Sequence, residues 1–296
     1  MKEKIKSLAK KKNAVILVHN YEPPEIQEIA DLCGDSLELS IKASKTDADI
    51  ILFCGVHFMA ETAYILSPDK TVLLPRKDAG CPMADMITPG ALEKKLKELP
   101  PMPVVTYVNS PASVKALSTI CCTSANAVKV VDSLPDDEIL MAPDRNLAQY
   151  TATRSAKKIH FWDGCCPIHD RLTVEEVLKT RKDHPGAIFM AHPECRPDVL
   201  ELADAVLSTS GMIKYAAEST NREFIVGTEK GLLHPLQTAN PGKEFYPVSA
   251  TMLCPDMKKI TLADVVRSLE FMEGVVEVPE KIRVPALKAV ERMINL

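Results

Sequence analysis

The chain has 296 residues, 46% hydrophobic and 26% charged, with a net charge of −4. That balance provides a sizeable core and no basic field to attract nucleic acid or an anionic membrane. No run of 18 apolar residues is present, which excludes a membrane-spanning helix, and AVILV behind the basic MKEKIKSLAKKKN is too short for a signal peptide, so a cytoplasmic protein is expected.

In chain order the strongest feature is a threefold repeat. An apolar run ends in polar residues three times, as AVILVHN (14–20), PVVTYVNS (103–110) and AIFMAHPE (187–194). Each run is short, rich in β-branched or aromatic residues and apolar on both faces, which suits a buried parallel strand. Alignment of the run ends places His19, Asn109 and His192 together. A small polar cluster opening a helical pattern follows each run, in GDSLELSIKAS, TSANAVKVV and STSGMIKYAAE, and aligns Ser36, Ser124 and Thr209. A second strand comes next, as DIILFCGV, EILMAPD and EFIVGTE. Each unit closes on a third apolar segment and a cysteine, in TVLLPRKDAGC, KKIHFWDGCC and KEFYPVSATMLC.

Alternation of this kind implies parallel sheets with flanking helices. The expected fold is therefore α/β: three homologous three-layer α/β/α units with parallel sheets around a pseudo-threefold axis. The expected units are 1–85, 86–170 and 171–296, the last carrying a helical tail with Thr261 as an N-cap. Ligands of such sheets sit at the carboxyl ends of the strands.

Nine cysteines, an odd number with no C-x-x-C pair, do not read as a disulfide framework. Cys33, Cys54 and Cys121 or Cys122 read as small hydrophobes. Cys81, Cys166 and Cys254 lie 85 and 88 residues apart, each beside a proline. Three thiolates converging on an axis suit zinc or an iron–sulfur cluster with one open metal position. Spacing alone leaves Cys165 and Cys195 as competitors. Ser36, Ser124 and Thr209 read either as helix N-caps or as anion anchors. His19, Tyr21, Tyr107, Asn109, His192 and Glu194 cluster at strand ends, where polar groups that move protons are expected. His169, three residues after Cys166, is a candidate support for the metal site.

Twelve blocks in order carry a resemblance to the quinolinate synthases. Among them are LVHNYEPPEIQEIAD, CGDSLELS, GCPMADM, YVNSPASVKA, CTSANAV, CPIHD, AHPECRPDV, STSGMIKY and CPDMKKITL. The resemblance implies a [4Fe–4S] cluster on Cys81, Cys166 and Cys254, preferring Cys166 to Cys165. It implies condensation of iminoaspartate with dihydroxyacetone phosphate in NAD biosynthesis, and a functional link to an aspartate oxidase or dehydrogenase. On that reading Ser36 and Ser124 hold phosphate, Ser208, Thr209 and His192 hold carboxylates, and Tyr107 and Asn109 orient substrate. Tyr21, Glu194 and His19 move protons. Arg76 stands where the family pattern is usually acidic. Competing readings are a cluster enzyme that dehydrates a hydroxy acid, an iron–sulfur sensor and a zinc protein.

Overall fold

The computed structural model describes residues 1–296. Its twelve strands form three sheets. The first sheet holds β1 (Ala14–His19), β2 (Leu32–Gly34), β3 (Ile50–Cys54) and β4 (Thr71–Leu73). The second holds β5 (Val104–Tyr107), β6 (Ile120–Cys122), β7 (Glu138–Ala142) and β8 (Lys158–Phe161). The third holds β9 (Ile188–Ala191), β10 (Ala205–Val206), β11 (Glu223–Gly227) and β12 (Glu244–Pro247). Every pairing is parallel, and the spatial order repeats: β2-β1-β3-β4, β6-β5-β7-β8 and β10-β9-β11-β12.

Each unit thus has one strand more than the sequence pattern implies. The extra strands β2, β6 and β10 span two or three residues, too short to show any periodicity. Their backbone pairing begins one residue ahead of each, where Asp31, Thr119 and Asp204 donate a main-chain N–H to Ile16, Val104 and Phe189. The same three side chains accept from the N–H groups of Ile16, Val104 and Phe189 in return.

Register fixes which residues correspond. Leu17 pairs with Leu32, Val105 with Ile120 and Met190 with Ala205. Counting on from these rungs, His19, Tyr107 and His192 correspond, and so do Tyr21, Asn109 and Glu194. Tyr107, not Asn109, is therefore the counterpart of the two histidines. The run ends misled the alignment because the second run stays apolar through Val108. The same count makes Ser36, Ser124 and Thr209 equivalent, as the sequence implied.

The sheets are buried on both faces, as parallel sheets require. In the third, Phe189 and Ile225 pack into one apolar cluster while Met190, Phe224 and Val226 pack into another. The largest continuous cluster runs through the first two sheets and the C-terminal helices. Each fully buried aliphatic side chain contributes about 2 kcal/mol.

The tail starts at the third unit and returns to the others. A capping box closed by Thr261 and Asp264 starts helix Leu262–Phe271, as the sequence indicated. After Met272 in the left-handed region, Gly274 accepts from Leu74 N and Val276 donates to Val72 O, which extends the first sheet at β4. Helix Glu280–Ile294 then packs on helix His57–Leu66 and on β6.

Gly274 has φ +88° and a Cβ there would lie 2.1 Å from the Leu74 carbonyl oxygen. Both the backbone and the space demand glycine. Gly274→Ala is expected to cost at least about 2 kcal/mol, read from the urea midpoint; an unchanged midpoint would show that the tail does not hold the first sheet.

Candidate active site

The carboxyl ends of all three sheets open on one cavity of about 70 Å³. The carboxyl ends of β1, β5 and β9 supply the last strand residues His19 and Tyr107 and, one residue past its strand, His192, and two residues on come Tyr21, Asn109 and Glu194. Ser36, Ser124 and Thr209 line the cavity, as do Cys81, Cys166 and Cys254. Of the residues expected from the sequence to catalyse, bind substrate or ligate metal, only Ser208 stands outside it, leaving aside the competing cysteines. Cys165 and Cys195 do not line it either, so the cavity itself separates Cys166 from its neighbour.

The helix ends explain how the hydroxyls are freed. The capping groups are one residue earlier in the first and third units, whereas in the second a turn held by Thr123 leads to helix Ala127–Asp132, which follows Asn126 without a side-chain cap. Asp35 accepts from Leu37 and Glu38 N–H, Thr123 Oγ1 from Ala125 N–H, and Ser208 Oγ from Gly211 N–H. The capping reading is therefore wrong by one position for Ser36 and Thr209, and Ser124 lies two residues before the N-cap position of its helix. Thr209 Oγ1 instead accepts from Asn20 Nδ2 at 3.0 Å.

Glu194, 3% exposed, is the hub of the polar groups. Tyr107 Oη donates to its Oε1 at 2.6 Å, and His169 Nδ1 lies 2.7 Å from its Oε2. His169 Nδ1 is also 3.2 Å from Cys166 Sγ, and its Nε2 is 2.8 Å from Thr228 Oγ1. Thr228 Oγ1 meets Tyr21 Oη at 2.6 Å. A continuous chain thus runs Tyr21–Thr228–His169–Glu194–Tyr107. Burial alone would raise the Glu194 carboxyl, but the imidazoles of His192 and His169 and the donated bonds from His169 and Tyr107 hold it well below the ordinary range. Burial, with Glu194 nearby, pushes both tyrosine hydroxyls well up.

His19 and His192 are neutral. Burial brings each down to about 3. His19 Nδ1 accepts from Tyr21 N–H, and His192 Nδ1 from Glu194 N–H. The proton of each ring therefore sits on Nε2, which makes the pair hydrogen-bond donors rather than acids.

The cysteine loops are tied down by buried carboxylates. Two residues past β7 and β11, Asp144 Oδ2 accepts from Cys166 N–H at 3.1 Å and Glu229 Oε1 from Cys254 N–H at 3.2 Å. The first unit has Val56 at that position. Its loop is held instead by the third unit, where Asp256 Oδ1 accepts from Gly80 N–H beside Cys81. All nine cysteines are free thiols. Burial raises the thiols of Cys81, Cys166 and Cys254, so ionising them as ligands requires a metal. A second ligand set shares one of them: Cys166, His169 and Glu194 place their donor atoms within 4.8 Å of one another.

The sequence reading missed Asp35, Thr228 and Glu229. The last two end the EFIVGTE block, and the strand-end argument applied to β11 would have found them.

These features have relatives. The family model described as quinolinate synthetase A protein matches residues 3–295. The chain belongs to the quinolinate synthetase A family. It is 57% identical over 297 residues to the quinolinate synthase of Geobacter metallireducens, covering all of this chain and 97% of that protein. It is 55% identical over 296 residues to that of Geotalea uraniireducens, with 100% and 97% covered. Quinolinate synthase 1 of Methanosarcina acetivorans is 56% identical over 292 residues, with 99% and 96% covered. This is a family of enzymes, and no helix of the chain is long and apolar enough to cross a membrane.

The neutral imidazoles set a pH dependence. Unfolded, each takes a proton near its ordinary value of 6.5; folded, not until about 3. The unfolded chain binds more protons in between, so stability falls as pH drops through that window. Glu194, held low, adds its loss only below the ordinary carboxylate range. Between about pH 6 and 5 the slope due to each histidine approaches ~1.4 kcal/mol per pH unit. Urea midpoints across that interval should be shallower in pH dependence for His192→Gln; equal slopes would show His192 charged in the fold.

Proposed function

We propose that this chain is a cytoplasmic transferase of NAD biosynthesis. It condenses iminoaspartate with dihydroxyacetone phosphate to quinolinate, phosphate and two waters. An oxidase or dehydrogenase acting on aspartate would supply the imine. The observation that carries the reading is the buried chain from Tyr21 to Tyr107 through Glu194, set beside three free thiols in one cavity.

The donor set fits an iron–sulfur cluster. Three thiols from three loops share one cavity, none is spent in a disulfide, and two have their backbone N–H held by a buried carboxylate. On the proposed division into units 1–85, 86–170 and 171–296, related by a pseudo-threefold axis, each unit supplies one cysteine. Cys81, Cys166 and Cys254 would hold the [4Fe–4S] cluster. When bound, its iron without a cysteine supplies a Lewis acid that engages substrate heteroatoms and eases loss of hydroxyl.

The protein's own groups do the rest. The hydroxyls of Ser36 and Ser124, free of capping duty, would take the phosphate beside helix starts that favour anions. Thr209 and the Nε2–H groups of His192 and His19 would donate to carboxylates, while Ser208 shapes the Thr209 helix end by capping it. Asn109 Oδ1 is buried without a partner and would accept from a donor on the substrate. Tyr21 Oη and Tyr107 Oη would deliver and recover protons on the carbon skeleton, since Glu194 is bonded to one directly and to the other through His169 and Thr228. Burial of the whole chain keeps bulk water from hydrolysing the imine.

Two measurements test this. Protein purified without oxygen should contain about four iron and four sulfide per chain, retained in Cys165→Ala and lost in Cys166→Ala. One zinc per chain instead would favour the Cys166, His169 and Glu194 set. Glu194→Gln should keep the cluster and lose turnover by at least about a hundredfold; full activity would remove Glu194 from proton transfer.

A further inference from the structure

The cavity presents Asp35, Glu194 and Glu229 but no lysine or arginine, although the proposed substrates are anionic. A cation without an assigned role is Lys115, which is fully buried. Its ammonium makes one hydrogen bond, to the Ser110 carbonyl oxygen at 2.6 Å, and no ion pair. It lies 5.5 Å from the centroid of Phe58, which lines the cavity. The acidic groups facing it are Glu61, Cys121 and Cys81. Glu61 is occupied in part by the Ala112 N–H.

The repeat shows what the structure alone would require here. By the same register, Lys115 corresponds to Gln27 in the first unit and Leu200 in the third, and Ser110 corresponds to Glu22. Gln27 Nε2 donates to the Glu22 carbonyl oxygen at 2.7 Å, the bond that Lys115 makes to Ser110. A neutral amide therefore braces this loop in one unit, and the third unit does without any donor. The charge at Lys115 exceeds what bracing needs, and burial of an ammonium that Glu61 faces without forming an ion pair is costly to the fold.

We propose that Lys115 is the buried counter-cation of the cavity, a positioning residue whose charge is compensated only when anions occupy the site. The inference rests on the function proposed above. Its field acts across the Phe58 ring on a cavity that Asn109 and Cys81 also line. Burial draws the ammonium's proton affinity down, which is the cost that an anion in the cavity offsets.

The test copies the first unit's solution. Lys115→Gln keeps a donor for Ser110 and removes the charge; Lys115→Met removes both. In anaerobically loaded protein, calorimetry should show quinolinate binding at least about tenfold weaker in both variants, while nicotinate, with one carboxylate fewer, weakens by about threefold or less. Equal weakening for both ligands, or none, would overturn the charge role. The metal-free variants should melt no lower than metal-free wild type, whereas the loaded variants should melt below loaded wild type. Loss of stability in both states would make Lys115 a structural residue only. If wild type itself binds no quinolinate, the proposed function fails, and the melting comparison still decides the role of Lys115.

Discussion

One buried carboxylate organises the polar chemistry of this molecule. Isolated in an apolar interior, Glu194 would take up a proton and lose its charge. It stays ionised because Tyr107 donates to one oxygen and His169 faces the other. That need for donors orients the rest: His169 must present Nδ1 to the carboxylate, which turns its Nε2 to Thr228 and so fixes the Tyr21 hydroxyl. The chain draws on all three units, because Tyr21, Tyr107 and Glu194 lie at or just past the ends of β1, β5 and β9, which belong to different sheets. A displaced unit would leave Glu194 short of a partner at a cost of a few kcal/mol, so the relative placement of the sheets and the ionisation of one side chain depend on each other.

The same position in each unit has been put to different uses. Two residues past the third spatial strand stand Val56, Asp144 and Glu229. The two carboxylates hold cysteine loops by the backbone, and the valine leaves that task to Asp256 from another unit. Likewise the rung His19, Tyr107, His192 offers two neutral imidazoles and one phenol, and the next offers Tyr21, Asn109 and Glu194. A repeated scaffold supplies equivalent sites, while the different side chains on them make an asymmetric cavity able to distinguish the two ends of a substrate.

The repeat, the parallel sheets and the convergence of the site residues were legible in the sequence because they rest on long signals. Apolar runs of four to six residues and a regular cysteine spacing survive one-dimensional reading. The short strands β2, β6 and β10 did not, since two or three residues carry no period. The true caps were missed for a related reason. Asp35–Ser36 and Ser208–Thr209 each offer adjacent capping residues, and only the backbone angle at the helix start decides which one turns inward, while in the second unit the helix starts later, after Asn126. Lys258 was invisible for another reason: its partners, Glu229 and the Tyr21 carbonyl, are brought to it only by the fold.

Charge placement follows from these constraints. A cavity that must stabilise Glu194 as an anion and also admit anionic substrates cannot rely on cationic side chains at its surface, because a lysine there would pair with Glu194 and block it. Neutral donors and helix ends can serve both needs, since their partial charges favour an anion without neutralising the carboxylate. Full charges then belong one layer back. Lys258, pinned between Glu229 and the Tyr21 carbonyl, is already matched by a carboxylate. Lys115 is faced by Glu61 but makes no ion pair, and its ammonium stands 5.5 Å from the centroid of Phe58, the ring between it and the cavity on the proposed reading.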